Sequence, residues 1–146
     1  MAMDYTKMAI QLLENMHTLH RAKPQRHINE AFQGEAFVLK YLARHGGDVL
    51  PGTISSEMHV SSARIAAALN NLERKGLLTR RADTADRRKI LVNLTPEGKR
   101  LAQRHYDTVV QSAARLLCLL GDEDAVDYLR ITNKLVGIID ANEGLF

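Results

Sequence analysis

The apolar residues of this chain change their spacing twice, and that change limits what the chain can fold into. Up to Gly76 they recur every three or four residues, as on the face of a helix. From Leu77 to Leu94 they alternate or run in β-branched stretches, and from Pro96 the helical spacing returns. The expected fold is therefore mainly α with one small β-hairpin.

The pattern can be followed element by element. Tyr5, Met8, Ala9, Leu12, Met16 and Leu19 predict an amphipathic helix over about 4–22 that Pro24 stops. A second helix is expected from about Ile28 or Gln33 to Arg44, with Ala36, Phe37, Tyr41 and Leu42 as its apolar positions and Leu39 flanking; glycine after His45 suits a left-handed cap. Asp48-Val49-Leu50 reads as a short extended piece. Pro51 then opens a short helix whose Ile54 and Met58 pack inward, and a turn follows at His59-Val60. Ser61 is a suitable N-cap for a helix over 62–75, with Ile65, Leu69 and Leu72 as its apolar stripe, Ala68 beside it and Gly76 at its end. Leu77–Arg81 and Lys89–Leu94 form the hairpin, with the polar run between them as its tip. Thr95, Pro96 and Glu97 start a long helix to about Leu120, striped by Leu101, His105, Val109, Ala113, Leu116 and Leu120. After Gly121 a last helix carries Val126, Leu129, Val136 and Ile139. The expected order is α-α-α-α-β-β-α-α. The stripes of the first and last two helices have little local core to cover. They pack either on each other or on a second copy of the chain, and the second is the reading preferred here.

Charge is unevenly placed. The chain carries a net charge of +3, but Ser61–Ile90 holds eight basic and three acidic residues, a local balance of +5. A basic segment on a near-neutral body is the electrostatic footprint of a nucleic-acid reader, although a solvated basic face gives the same sum.

Two short helices joined by a tight turn, then a hairpin with a basic tip, make a winged helix-turn-helix. A helix fits the major groove, where each base pair displays a distinct hydrogen-bond pattern. Opposite the apolar stripe of the 62–75 helix stand Ser62, Ala63, Arg64, Ala66, Ala67 and Asn70. Small residues let the backbone approach DNA, while Arg64 and Asn70 can reach base edges or phosphates. On the hairpin, Arg87, Arg88 and Lys89 are candidates for phosphates or the minor groove, with Asp86 orienting Arg88.

The run VSSARIAAALNNLERKGLLTRRADTADRRKILVNLTPEG, Val60 to Gly98, resembles the signature of the MarR (multiple antibiotic resistance regulator) family. The matching elements are Val60-Ser61, Leu72 to Leu78, Arg80 or Arg81 on the first wing strand, Asp86-Arg87-Arg88, and Leu94 to Gly98. The flanking helices match in pattern. The resemblance implies a homodimer held by N- and C-terminal helices (1–28 and 96–146) around a winged helix-turn-helix domain (29–95). It implies binding to double-stranded DNA at a pseudo-palindromic operator, usually as a repressor, often with release by small phenolic or lipophilic ligands, oxidants or metals. It places Ser62, Ala63, Arg64 and Ala67 nearest the bases and Asp86 and Arg88 on the wing. The expected recognition-helix contacts are then Ser61, Ser62, Ala63, Arg64, Ala67 and Asn70, and the wing contacts Arg80, Arg81, Asp86, Arg87, Arg88 and Lys89. The competing reading is a winged-helix module for protein interaction or architectural nucleic-acid binding.

Other chemistries find little support. No nucleophile–base–orienter set and no phosphate-cradling glycine loop are recognisable, so an enzyme is not expected, nor is a cofactor. Glu14, His17 and His20, with His105 and Asp107, lack the further ligands of a tetrahedral site, and no metal is expected. The single cysteine, Cys118, lies in an apolar run and reads as inert helix-interface packing. An effector pocket at the junction of the reading domain and the dimer helices has His17, His20, Phe37, Tyr41 and Arg44 as candidates, each equally explicable as packing. No apolar run approaches the roughly 18 residues of a membrane span, and the first residues do not read as a signal peptide; a cytoplasmic protein is expected.

Overall fold

The computed structural model describes residues 3–30, 33–142 and 144. The elements run α1 (Tyr5–Arg21), α2 (Lys23–Glu30), α3 (Gly34–His45), α4 (Pro51–Met58), α5 (Ser62–Arg74), β1 (Leu78–Ala82), β2 (Ile90–Leu94), α6 (Pro96–Leu120) and α7 (Asp122–Ala141). This is a mainly helical chain with one antiparallel hairpin, as its patterning requires. It has one helix more than expected. Pro24 ends α1 through an extended Ala22 (φ −68°, ψ 139°), but it also sits in the first turn of α2. There the missing N–H has no helical partner to lose. Reading proline only as a stop therefore hid α2, and the second helix of the sequence reading is two helices.

Most caps follow the sequence. Asp4 Oδ1 accepts from the Thr6 and Lys7 amides, and Ser61 Oγ from that of Arg64. Gly46 takes the left-handed conformation after α3 at φ 73°. At the end of α5, Gly76 is left-handed, the Gly76 N–H donates to Glu73 O and the Leu77 N–H to Leu72 O, which turns the chain sharply into β1.

The core lies within residues 38–102. Val38, Leu39, Tyr41 and Leu42 of α3 face Ile54 of α4, the stripe Ile65-Leu69-Leu72 of α5, Leu78 and Val92 of the hairpin, and Ala102 of α6. The buried face of α3 thus includes Val38, which the periodicity missed, and Leu39 lies in its centre rather than on its flank. Neither α1 nor α7 buries a single residue. Cys118 is exposed on α6, so the expectation of a packed thiol does not hold within one chain. No described helix is long and apolar enough to cross a membrane.

The hairpin pairs Leu78 with Leu94, Arg80 with Val92 and Ala82 with Ile90. The extended piece expected after α3 is a single rung, in which Val49 and Val92 exchange both backbone hydrogen bonds at 3.1 and 2.8 Å.

The start of α6 is pinned to the base of the hairpin. The Thr95 hydroxyl accepts from the Gly98 N–H (3.0 Å) and donates to Gly76 O (2.7 Å), and the Thr95 N–H donates to Leu77 O. A β-carbon on Gly98 would lie 1.9 Å from that same Leu77 oxygen. Gly98→Ala is expected to lower the unfolding free energy by about 1–3 kcal/mol through overpacking. Urea unfolding would show this as a lower midpoint at constant slope; an unchanged midpoint would mean that the first turn of α6 is free to shift.

Candidate nucleic-acid interface

Helix α5 divides cleanly into two faces. Ile65, Leu69 and Leu72 are buried, and Ser61, Ser62, Ala63, Arg64, Ala66, Ala67 and Asn70 are exposed. The division follows from the 3.6-residue period: the apolar positions fall on one stripe, and what remains is small or polar. Arg64 and Ala67 also border an open groove of about 1020 Å³ between α5, α4 and the start of α3.

The cations of this region fall into two groups. Among the described residues, the side chains of Arg64, Arg87 and Lys89 have no hydrogen bond or ion pair. The others are held. Arg88 Nε donates to Asp86 Oδ1 at 3.3 Å, and the same oxygen accepts the Arg88 backbone N–H at 3.1 Å. Asp86 thereby closes the tip of the wing and leaves the rest of the Arg88 guanidinium in solvent.

Arg80 and Arg81 are engaged elsewhere than at the tip. Arg80 Nη1 donates to Asn70 Oδ1 at 2.8 Å and Arg80 Nε lies 3.9 Å from Glu73 Oε2, tying β1 to α5. Arg81 Nη2 donates to Asp48 Oδ1 at 2.6 Å, and Asp48 Oδ1 also accepts from Asn93 Nδ2 at 2.9 Å. The hydrogen bond from Asn93, and then that from Arg81, hold the Asp48 carboxyl below its ordinary pKa. The carboxylate's contribution is therefore complete above the usual carboxylate range, about 3.9, and is lost only as pH falls through the lowered value. Asp48 and Asn93 escaped the sequence reading. A signal was present: Asn93 is the one polar residue in the strand Ile90–Leu94.

The five residues suggested for an effector pocket are not brought together. Phe37, Tyr41 and Arg44 line a groove of about 380 Å³ on α3 with Lys40, His45 and Glu57. In it Tyr41 stacks on His45 at 3.9 Å between ring centroids, and burial and then Glu57 push the Tyr41 phenol pKa up. His17 and His20 stand exposed on α1, where His20 Nδ1 accepts from Asn29 Nδ2 at 2.7 Å. Among the described residues, no three His, Cys, Asp or Glu side chains are placed to hold a metal ion.

Comparison with known proteins agrees with this architecture. The model of the MarR family matches residues 32–89. The HTH-type transcriptional repressor MdtR of Bacillus subtilis (strain 168) is 30% identical over 109 residues, covering 75% of this chain and 70% of that protein. The uncharacterized HTH-type transcriptional regulator YwhA of the same strain is 27% identical over 141 residues, covering 91% of this chain and 99% of that protein. Among solved structures, the YusO protein from Bacillus subtilis superposes with a TM-score of 0.71 at 26% identity, covering 92% of this chain and 99% of that one. With the winged helix-turn-helix fold, the two-faced helix and the basic hairpin tip, these similarities make the chain a member of the MarR family of transcriptional regulators.

Proposed function

We propose that this protein is a homodimeric, sequence-specific repressor that reads a pseudo-palindromic operator in double-stranded DNA in the cytoplasm. The observation that carries the reading is the pair of surfaces just described: a recognition helix with an open face of small and polar residues, and a wing tip whose cations are unpaired or pre-oriented. In this reading Ser61, Ser62, Ala63, Arg64, Ala67 and Asn70 meet the major groove. Arg87, Arg88 and Lys89 meet phosphates or the minor groove, with Asp86 holding Arg88 in pose. The repressor named MdtR supports repression as the sign of regulation.

The dimer is supported by the apolar surface of one chain. Met8, Leu12, Leu13, Met16 and Leu19 of α1 and Leu129, Leu135, Val136, Ile138 and Ile139 of α7 are all 44–65% exposed. Two long apolar helix faces with no core of their own match a self-complementary interface. On this reading 1–28 and 96–146 join two copies around the domain 29–95, although α6 also lends Ala102 to the reading domain's core.

Response to a small molecule is supported by a further groove, of about 490 Å³, between α3 and α6. It is lined by Lys40, Arg44, Lys99, Gln103 and Tyr106, among others, and among the described residues neither Arg44 nor Lys99 has an ion-pair partner. Its chemistry suits an organic anion, and it adjoins the helix that carries the core of the reading domain.

Three measurements test the proposal. Selection from random duplex DNA is expected to enrich a near-palindrome with half-sites about one helical turn apart; no enrichment by a folded protein would favour the architectural or protein-interaction reading. Arg88→Ala should weaken binding to selected and random duplexes alike and lower the slope of log affinity against log salt by about 0.9, the release expected for one phosphate contact. An unchanged slope would remove Arg88 from the backbone contacts. Leu12→Asp puts a charge into the apolar face of α1, and by sedimentation it should run near the 16.3 kDa of one chain while the native protein runs at twice that mass. A variant that stays dimeric would move the interface off α1.

A further inference from the structure

Arg80 and Arg81 are consecutive on β1, so their side chains leave opposite faces of the hairpin. Each is received by a different part of the helix-turn-helix unit: Arg80 by Asn70 and Glu73 of α5, and Arg81 by Asp48 in the loop between α3 and α4. Asp48 is the centre of the second contact. Its backbone is left-handed at φ 53°, an uncommon conformation that aspartate tolerates better than most residues and that its surroundings can hold in place. They do so here. The Asp48 N–H donates to Asn93 Oδ1 at 2.8 Å, and the Asp48 carboxylate accepts from Asn93 and Arg81. Gly47 packs so tightly beside this cluster that a β-carbon there would lie 2.5 Å from Asn93 Oδ1. One residue further, Val49 is bonded to Val92 of β2.

We propose that Asp48 is a positioning residue for DNA recognition: with Asn93 and Arg81 it clamps the base of the wing to the helix-turn-helix unit, and Arg81 serves this clamp instead of a phosphate. A two-stranded hairpin is marginal alone and takes its pose from whatever it is tied to. Arg80 ties one face and the Asp48 cluster ties the other, so the angle of the wing, and with it the reach of Arg87, Arg88 and Lys89 at the tip, is set at the base. An exposed ion pair adds little to overall stability, which leaves orientation as the consequence of this one. The inference rests on the DNA-reading function proposed above.

The test is duplex binding by the whole 146-residue chain across a salt series, with random-sequence DNA of about three helical turns as the probe. If the native chain does not bind, the DNA-reading function itself fails, and that outcome is separate from a failure of the clamp. Given native binding, Asp48→Asn keeps the shape and removes the charge; it is expected to weaken binding about 3- to 10-fold with the salt slope unchanged, and Arg81→Met to do the same. Arg81→Lys, which can still pair with Asp48, should recover most of the native affinity. In an Arg88→Ala background Asp48→Asn should cost less than in the native chain, because it acts through the wing whose tip carries Arg88. Amide exchange at Val49 and Val92 should quicken in both clamp variants, independently of DNA. The clamp is overturned by a fall of about 0.9 in salt slope for Arg81→Met, which marks a lost phosphate contact. It is equally overturned by tighter binding in Asp48→Asn, or by a cost of Asp48→Asn that is the same with and without Arg88.

Discussion

The close approach of α6 to the Leu77 carbonyl aligns α5, the hairpin and α6 with one another. That oxygen accepts the Thr95 N–H and lies where a side chain on Gly98 would be. Leu77 itself donates to Leu72 at the end of α5, and the Thr95 hydroxyl reaches Gly76. Within a few residues the end of the recognition helix, the base of the hairpin and the start of the longest helix are bonded to one another. Each such hydrogen bond contributes only about 1 kcal/mol net. Their effect is geometric: they fix three elements relative to one another around Leu72, Leu78, Val92 and Ala102.

Electrostatics then sorts the arginines by partner. Exposed ion pairs contribute little to stability, typically under about 1 kcal/mol, so the value of those at Arg80, Arg81 and Arg88 lies in direction. Asp86 orients a tip arginine that is still largely in solvent, whereas Asn70, Glu73 and Asp48 hold two arginines at the wing base. Arg64, Arg87 and Lys89 keep the hydrogen-bonding capacity that the others have partly used. A count of basic residues treats them as one patch, but the geometry divides them into side chains left free and side chains already paired.

The helices at either end of the chain are a different case. They are helical because their sequences are strongly patterned, yet α1 and α7 give nothing to the core of their own chain. Large apolar faces left in water are costly, and these faces are the basis of the dimer proposed above. The groove between α3 and α6, with Arg44 and Lys99 facing it, joins the helix that holds the reading domain's core to the helix that leads toward those end segments.

Local rules sufficed for much of this. The period of 3.6 against 2, Ser61 and Thr95 as caps, Gly46, Gly76 and Gly121 as terminators and the stripe Ile65-Leu69-Leu72 are effects of the nearest few residues, and each can be read from the chain alone. So could the open face of α5 and the basic tip of the wing. What depended on contacts between distant residues could not. Pro24 starts α2, which lies along α6 through His27 Nδ1 and Ser112 Oγ at 3.0 Å, a pairing separated by 85 positions. Arg80 and Arg81 read alike in sequence but are drawn apart by the pleat of the strand onto partners 10 and 33 positions away. His17 and His20 share a helix with the right spacing but not a cavity with Phe37, Tyr41 and Arg44. The sequence by itself determined most of the helical segments, their caps and the apolar stripe of α5, because those are short-range properties. Only the tertiary structure decided which charges are free and which are paired, because that depends on which acid or amide the fold brings within about 3 Å of each guanidinium.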